Sequence, residues 1–557
     1  MRKCPLGSAA WAGLQALNRV ASEPPNPFAP VRFRLKESAG RKRVVMRFER
    51  SSGVLLHVTS LPSKGGIGDL GPAAFAFLDF LAEAHQHIWQ VLPLCATGYG
   101  NSPYAATSAF AGNSFLVSLE ILAEWGWISK ERSESHAGQS SHVDFGEVEW
   151  RKLPLLMEAA GNFVDRGAED PALRDQWEEF ESFCREEESW LTDYALFAEL
   201  RRQFNTGAWT VWPEDLRKRK PAALARVVAQ HGRSLRQEQA LQFAFAKQWK
   251  ALRAAADRRG IRILGDVAIF VNMDSADVWV HPELFELDAD FKQTRIAGVP
   301  PDYFSPTGQR WGNPLYRWDL LAEQGYGWWI ERMRRARQLY DIIRLDHFRG
   351  FESYWAIPAE EETAIKGEWI KGPGAKLFAA LEAELGELPL VAEDLGLITP
   401  AVTELREELG MPGMKVLQFG FTDKGAHIHL PHGMSRDTVA YTGTHDNNTT
   451  LGWWKEAGRV ERAAIEAYIG PTPDKRPVWP LMRTVAASQA EIAIFPVQDL
   501  LELDAEARMN TPATSSGNWR WRVQSGLWTP ALASQLAALT VVTDRDSDPL
   551  ANPEEEA

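Results

Sequence analysis

Eight short, nearly uninterrupted apolar runs recur along this chain, and that recurrence limits the fold more than any other feature. In order they are GVLLHV (Gly53–Val58), IWQVLPL (Ile88–Leu94), IRILGDV (Ile261–Val267) and DIIRLDH (Asp341–His347). LPLVAED (Leu388–Asp394), MKVLQFG (Met414–Gly420), TVAYTGTHD (Thr438–Asp446) and IAIFPVQD (Ile492–Asp499) follow. Runs without polar alternation suit strands covered on both faces, as in a parallel sheet. Helical patterns lie between them. GPAAFAFLDFLAEAH sets Phe75, Leu78 and Leu81 on one face. TPAVTELREELG repeats Val402, Leu405 and Leu409 at helical spacing, with Thr399 before Pro400 as a candidate cap and Gly410 past the end. Eight strands alternating with helices predict an α/β fold, a (β/α)8 TIM barrel.

Two intervals are too long for simple strand–helix units. Residues 119–260 read as a mostly helical insertion. Within it, SLRQEQALQFAFAKQWKALRAAADRRG predicts a helix opened by a capping box of Ser234 and Gln237, with Leu241, Phe245, Trp249 and Leu252 on one stripe. Residues 271–337 read as a loop-rich insertion, and long ordered loops on a barrel usually carry function. The barrel is expected over 46–530, with no C-terminal β-sandwich. About 60 residues follow the eighth run, too few for such a domain of about 100. The first 50 residues hold 11 Lys and Arg against three Glu. Residues 1–45 are read as a disordered basic extension or a start assigned too early, and an organelle transit peptide is the alternative. Residues 531–557 read as a solvated acidic tail.

Composition excludes several classes. A net charge of −13 does not suit a polyanion-binding surface, so no nucleic-acid partner is expected. No run reaches the roughly 20 apolar residues of a membrane-spanning helix, so no membrane partner is expected. Three scattered cysteines form neither a disulfide framework nor a zinc ribbon and suit a reducing compartment, the cytoplasm. The 23 Trp and 26 Phe are an excess beyond core needs that suits flat polar ligands such as sugar rings.

The acids then become informative. Asp266 ends the third run, Asp346 with His347 the fourth, Glu393 with Asp394 the fifth, and His445 with Asp446 the seventh. Barrel enzymes place their chemistry at the C-terminal ends of the strands, so four strands deliver carboxylates to one rim. Converging like charges cost stability and need a reason. Retaining glycoside cleavage supplies one: a carboxylate nucleophile and a carboxylic acid about 5–5.5 Å apart. Arg344 lies two residues before Asp346, on the same strand face, and is expected to hold that nucleophile ionised. Glu393 is expected to have its pKa raised by neighbouring carboxylates, as a general acid requires. Asp446 is placed to favour a distorted, oxocarbenium-like ring. No metal and no cofactor is called for. His427, His429 and His432 read as solvated loop histidines. SKGGIGD (Ser63–Asp69) lacks the spacing of a phosphate loop.

Longer motifs carry a resemblance. QVLPLCATGYGNSPYAATSAFAGN, AGVPPDYFSPTGQRWGNPLY, IRLDHFRGFESYW, VAEDLGLITP, YTGTHDNNTTLGWW and EARMNTPATSSGNWRWR resemble glycoside hydrolase family 77, the amylomaltases or 4-α-glucanotransferases, from about Ser52 to about Gln524. The resemblance implies Asp346 as nucleophile, Glu393 as acid/base and Asp446 as transition-state stabiliser. It further implies sugar contacts from Tyr99, Tyr104, Asp266, Arg344, His347 and His445. A loop reaching over the cleft would bring Asp302, Tyr303, Phe304, Gln309 and Trp311 to acceptor subsites. The chain departs from the family pattern at Asn101, Ala105, Ala268 and Asn448. The implied partners are maltodextrin or starch-type α-glucans and glucose, acted on by a monomer or weak homodimer. An α-amylase-type hydrolase is the alternative activity.

Overall fold

A computed structural model describes residues 33–38, 41–46, 48–135, 140–205, 207–301, 305–422, 425–470, 472 and 476–550. Its strands in chain order are β1 (Phe33–Ser38), β2 (Arg41–Met46), β3 (Ser51–Leu55), β4 (Ile88–Gln90), β5 (Arg262–Val267), β6 (Arg295–Val299) and β7 (Gln309–Pro314). They continue with β8 (Ile342–Leu345), β9 (Ser353–Pro358), β10 (Glu368–Lys371), β11 (Leu390–Ala392), β12 (Gly413–Val416), β13 (Thr438–Tyr441) and β14 (Ile492–Pro496).

Each of the eight apolar runs overlaps one strand of a single parallel sheet, ordered β11-β8-β5-β4-β3-β14-β13-β12. The Ala392 N–H donates to the Pro412 carbonyl at 2.9 Å, which joins the β11 side to the β12 side and closes the barrel. The strands are shorter than the runs, because pairing stops where the charged rim begins. Ile342, Ile343 and Leu345 of β8 are all buried. Each contributes about 1.5–3 kcal/mol of apolar burial, which offsets the cost of carrying Arg344 in the same strand. Gly265 of β5 has a steric reason: a Cβ there would lie 2.0 Å from the Tyr340 ring that packs across the strand.

The 119–260 insertion is helical, built chiefly from Phe145–Arg166, Arg174–Glu186, Glu188–Phe204 and Pro221–Asp257. The last of these is longer than the capping box implied. It starts with Pro221 in its first turn and bends at His231 (φ −124°), so Ser234 lies inside it. Gln237 donates to the Met157 carbonyl of a neighbouring helix instead of closing a cap. Leu241, Phe245, Trp249 and Leu252 are buried on the expected stripe.

The 271–337 interval holds more than loops. It contributes β6 and β7 to an antiparallel sheet ordered β10-β9-β6-β7, which stands beside the β8 end of the rim. It also forms the helices Ala276–Val280, Trp318–Glu323 and Gly327–Leu339.

At the N-terminal side, β1 and β2 pair as a hairpin within the segment expected as an extension; residues 1–32 lie outside the described residues. At the other end, the boundary at residue 530 falls inside the folded body. Pro530–Val542 is a helix packed against Pro72–Glu83. Beyond it the buried Arg545 donates to the carbonyls of Ser51, Ala486, Ser488, Ala490 and Glu491. Two of the acids that suggested a solvated tail are paired at the N-terminal end of β5 and its neighbours: Asp546 meets His85 and His87, and Asp548 meets Arg262, while residues 551–557 lie outside the described residues.

Candidate active site

Arg344 organises the rim. It sits in β8 with its side chain almost fully buried, 2.5 Å from Asp266 Oδ2 and 3.1 Å from Asp346 Oδ1. Its Nε donates toward the Met414 sulfur. Asp266, the penultimate residue of β5, also accepts from the Tyr104 hydroxyl at 2.7 Å. That hydroxyl has one proton, so its oxygen is left to accept from His445 Nε2 at 3.0 Å. The Tyr104 and His445 rings stack at 5.3 Å, with Trp519 against both. Burial lowers the His445 pKa, so a neutral ring donating from Nε2 fits this network.

Asp346 follows β8 directly, its N–H held by the Val267 carbonyl at 3.0 Å. Its side chain keeps 27 % of its surface exposed. Burial raises its pKa well above the usual carboxylate range, Arg344 opposes, and Asp266, Glu393 and Asp446 add to the rise. The expectation that Arg344 alone would hold it low is therefore corrected. One cation is shared between two acids, with further carboxylates close by.

Glu393 follows β11. Its two oxygens accept from the His347 N–H at 2.8 Å and the Leu395 N–H at 2.9 Å. Its pKa is raised, first by burial; Arg344 and the two backbone donors oppose, and Asp394 adds a smaller upward push. The direction matches expectation, but the main cause is burial and not neighbouring charge. His347 reaches this arrangement with a positive φ of 50°. The residue is half-buried, burial lowers its pKa to about 3, and Nε2 has no hydrogen-bond partner among the described residues.

Asp446 lies five residues past β13 and is more exposed, at 45 % of its side chain. Asn510 Nδ2 donates to its Oδ1 at 2.6 Å, and Arg508 donates to its carbonyl at 2.7 Å. These two partners were missed from the sequence, although RMN lies inside a quoted motif. Single polar residues on an irregular loop give no periodic signal.

Trp311 of β7 stands edge-on to His347 at 4.7 Å, and its indole N–H donates to Gln309 at 3.3 Å. The rim thus brings together Tyr104, Asp266, Arg344, Asp346, His347, Glu393, His445, Asp446 and Trp311, with Gln309 beside them. Tyr99 lies in the 3-10 turn Tyr99–Asn101, in the same loop as Tyr104. Asp302, Tyr303 and Phe304 lie outside the described residues. His429 is not a solvated histidine: it is half-buried and accepts the Val416 N–H at 3.1 Å, with its pKa lowered to about 4.

Known proteins are similar to this chain over most of its length. Residues 56–528 match the family model of glycoside hydrolase family 77, described as 4-alpha-glucanotransferase. A 4-alpha-glucanotransferase of Thermus thermophilus is 46% identical over 507 residues, covering 90% of this chain and 100% of its own length. A chloroplastic/amyloplastic relative of the same name from Solanum tuberosum is 42% identical over 482 residues, covering 86% of this chain and 82% of its own. Among solved structures, an amylomaltase from Streptococcus agalactiae in complex with acarbose superposes with a TM-score of 0.85 at 39% identity, covering 89% of this chain and all of that one.

Proposed function

The chain belongs to glycoside hydrolase family 77 and is a 4-α-glucanotransferase acting on α-glucans, and from that premise we propose how its rim performs the transfer. Asp346 attacks the anomeric carbon of a donor α-1,4-glucan. Glu393, whose pKa burial raises, gives its proton to the departing 4-oxygen. A glycosyl–Asp346 ester forms and the reducing-end segment leaves. Glu393, now a carboxylate, takes the proton from the 4-hydroxyl of an acceptor glucan or glucose. That oxygen displaces Asp346, and two inversions give net retention. A hydrolase of the α-amylase type shares the first half and differs only in using water for the second displacement.

Asp446, held by Asn510 and Arg508, faces the positive charge that develops on the ring. Tyr104, Asp266, Arg344, His347 and His445 grip the donor sugar, and Gln309 and Trp311, with Asp302, Tyr303 and Phe304, shape the acceptor side. The observation that carries this reading is the placement of Asp346, Glu393 and Asp446 past the ends of β8, β11 and β13, with the buried Arg344 ion-paired to Asp346. We further propose maltodextrins as donors, a cytoplasmic location, a monomer or weak homodimer, and neither nucleic-acid nor membrane partners. Among the described residues no helix is long and apolar enough to cross a membrane. Incubation with maltotriose tests the reaction. Glucose with maltotetraose and longer products is expected; maltose and glucose alone would contradict transfer.

A further inference from the structure

Tyr104 is carried by a narrow hairpin, residues 95–112, that leaves the barrel after β4. Bridges pair Cys95 with Gly112 and Thr97 with Ala106. Gly98 donates to Ala105 at 2.8 Å and Thr107 to Ala96 at 2.7 Å. Nothing in these internal bonds sets where the hairpin points. Buried polar side chains outside it do so: Arg335, whose Nε donates to the Phe110 carbonyl at 3.1 Å, and two that hold its backbone N–H groups. The Ala109 N–H donates to Asp277 Oδ2 at 2.8 Å. The neighbouring Ala276 N–H donates to the Thr107 carbonyl at 2.9 Å, so the Ala276–Val280 helix holds the returning strand of the hairpin at two points. At the foot, Gln242 accepts the Gly112 N–H at 2.8 Å and donates to the Gly112 carbonyl at 3.0 Å. Gln242 belongs to the Pro221–Asp257 helix of the insertion.

Both groups are costly to keep. Asp277 is 5 % exposed and Gln242 is fully buried. Burial pushes the Asp277 carboxyl up to about 6, against the Ala109 N–H and Arg332, which lower it. An apolar side chain at either position would be cheaper if filling space were the only requirement.

We infer that Asp277 and Gln242 are positioning residues for glucan transfer: they aim the 95–112 hairpin so that the Tyr104 hydroxyl meets both Asp266 and His445. Through Gln242 the helical insertion thereby takes part in building the sugar site, 130 residues in sequence from the Gly112 it holds. The inference rests on the reading of Tyr104 as a donor-sugar contact. A small misplacement of such a group costs rate steeply, because the reacting geometry is lost while the fold survives.

A double-mutant cycle on maltotriose disproportionation tests it, with kcat/KM referred to folded enzyme measured by circular dichroism. Asp277→Ala is expected to lower kcat/KM about tenfold in the wild-type background and less than about twofold in a Tyr104→Phe background. Asp277→Asn, whose amide oxygen still accepts the Ala109 N–H, is expected to restore most of the lost activity. Gln242→Met, which keeps the volume and removes both bonds to Gly112, carries the same cycle should Asp277→Ala give no folded protein. Equal losses in both backgrounds would overturn the inference and leave the two residues as general stabilisers. A Tyr104→Phe single variant at the wild-type rate would instead reject the reading of Tyr104, and the inference with it.

Discussion

The two walls of the rim are built on different principles. On one wall Tyr104, Asp266, Arg344 and His445 form a buried, mutually bonded network whose members reach the site from different parts of the barrel. On the other, Gln309 and Trp311 lie on β7, at one edge of the β10-β9-β6-β7 sheet. Trp311 is 38 % exposed, bonded to Gln309 and edge-on to His347. The first wall is preorganised: its donors and charges are fixed before substrate arrives, as stabilising a developing charge requires. The second offers aromatic area with few fixed bonds, which suits acceptors of different length. The difference teaches that rate should depend on the first wall and acceptor preference on the second.

The harshest test of this contrast is to remove chemistry from the fixed wall. Asp346→Asn keeps the shape but removes the carboxylate proposed as nucleophile, and kcat should fall by about 10⁴-fold or more with an unchanged circular dichroism spectrum. Wild-type turnover in that variant would remove the basis for the contrast.

Arg344→Gln comes next. Arg344 is the cation that lowers the Asp346 pKa against burial and three acids. Asp346 must be ionised to attack, so loss of the cation raises its pKa and moves the acid limb of the kcat/KM profile to higher pH. An acid limb that stays in place would show that the cation does not set the state of the nucleophile.

Asn510→Ala should cost about 10- to 100-fold in kcat by freeing the Asp446 carboxylate. Its effect on KM should be small. A pure KM effect would make Asn510 a ground-state sugar contact.

The smallest effect should come from the open wall. Trp311→Ala should raise KM for acceptor glucose about 2- to 10-fold, with little change in kcat at saturating acceptor. A large fall in kcat would show that the open wall shares in catalysis and would erase the distinction.

Much of the fixed wall was legible in the sequence, and the reason is physical. Covered parallel strands must be apolar throughout, so a charged residue at the end of such a run stands out, as Asp346 and Glu393 do. The open wall was harder to read. β6 and β7 contain Gly298 and Gly312 and shift register between Ile296 and Gly298, so neither shows clean alternation. Ser234 and Gln237 mimicked a cap because the same pair can occur inside a helix, where it bonds outward. Asp546 and Asp548 suggested solvent, since their partners His85, His87 and Arg262 are remote in sequence. Asn510 and Asp277 each act through one or two bonds across the fold, and no local pattern reports such bonds.

The central claim is that Asp346 becomes covalently bound to the sugar. Glu393→Gln incubated with an α-maltosyl fluoride tests it most directly. Fluoride leaves without an acid, so the ester still forms, while its breakdown lacks the base that activates the acceptor. Mass spectrometry of the digested protein should find a glycosyl adduct on the peptide containing Asp346. An adduct on Asp266 or Asp446, or steady turnover of the fluoride with no adduct on any carboxylate, would contradict the account.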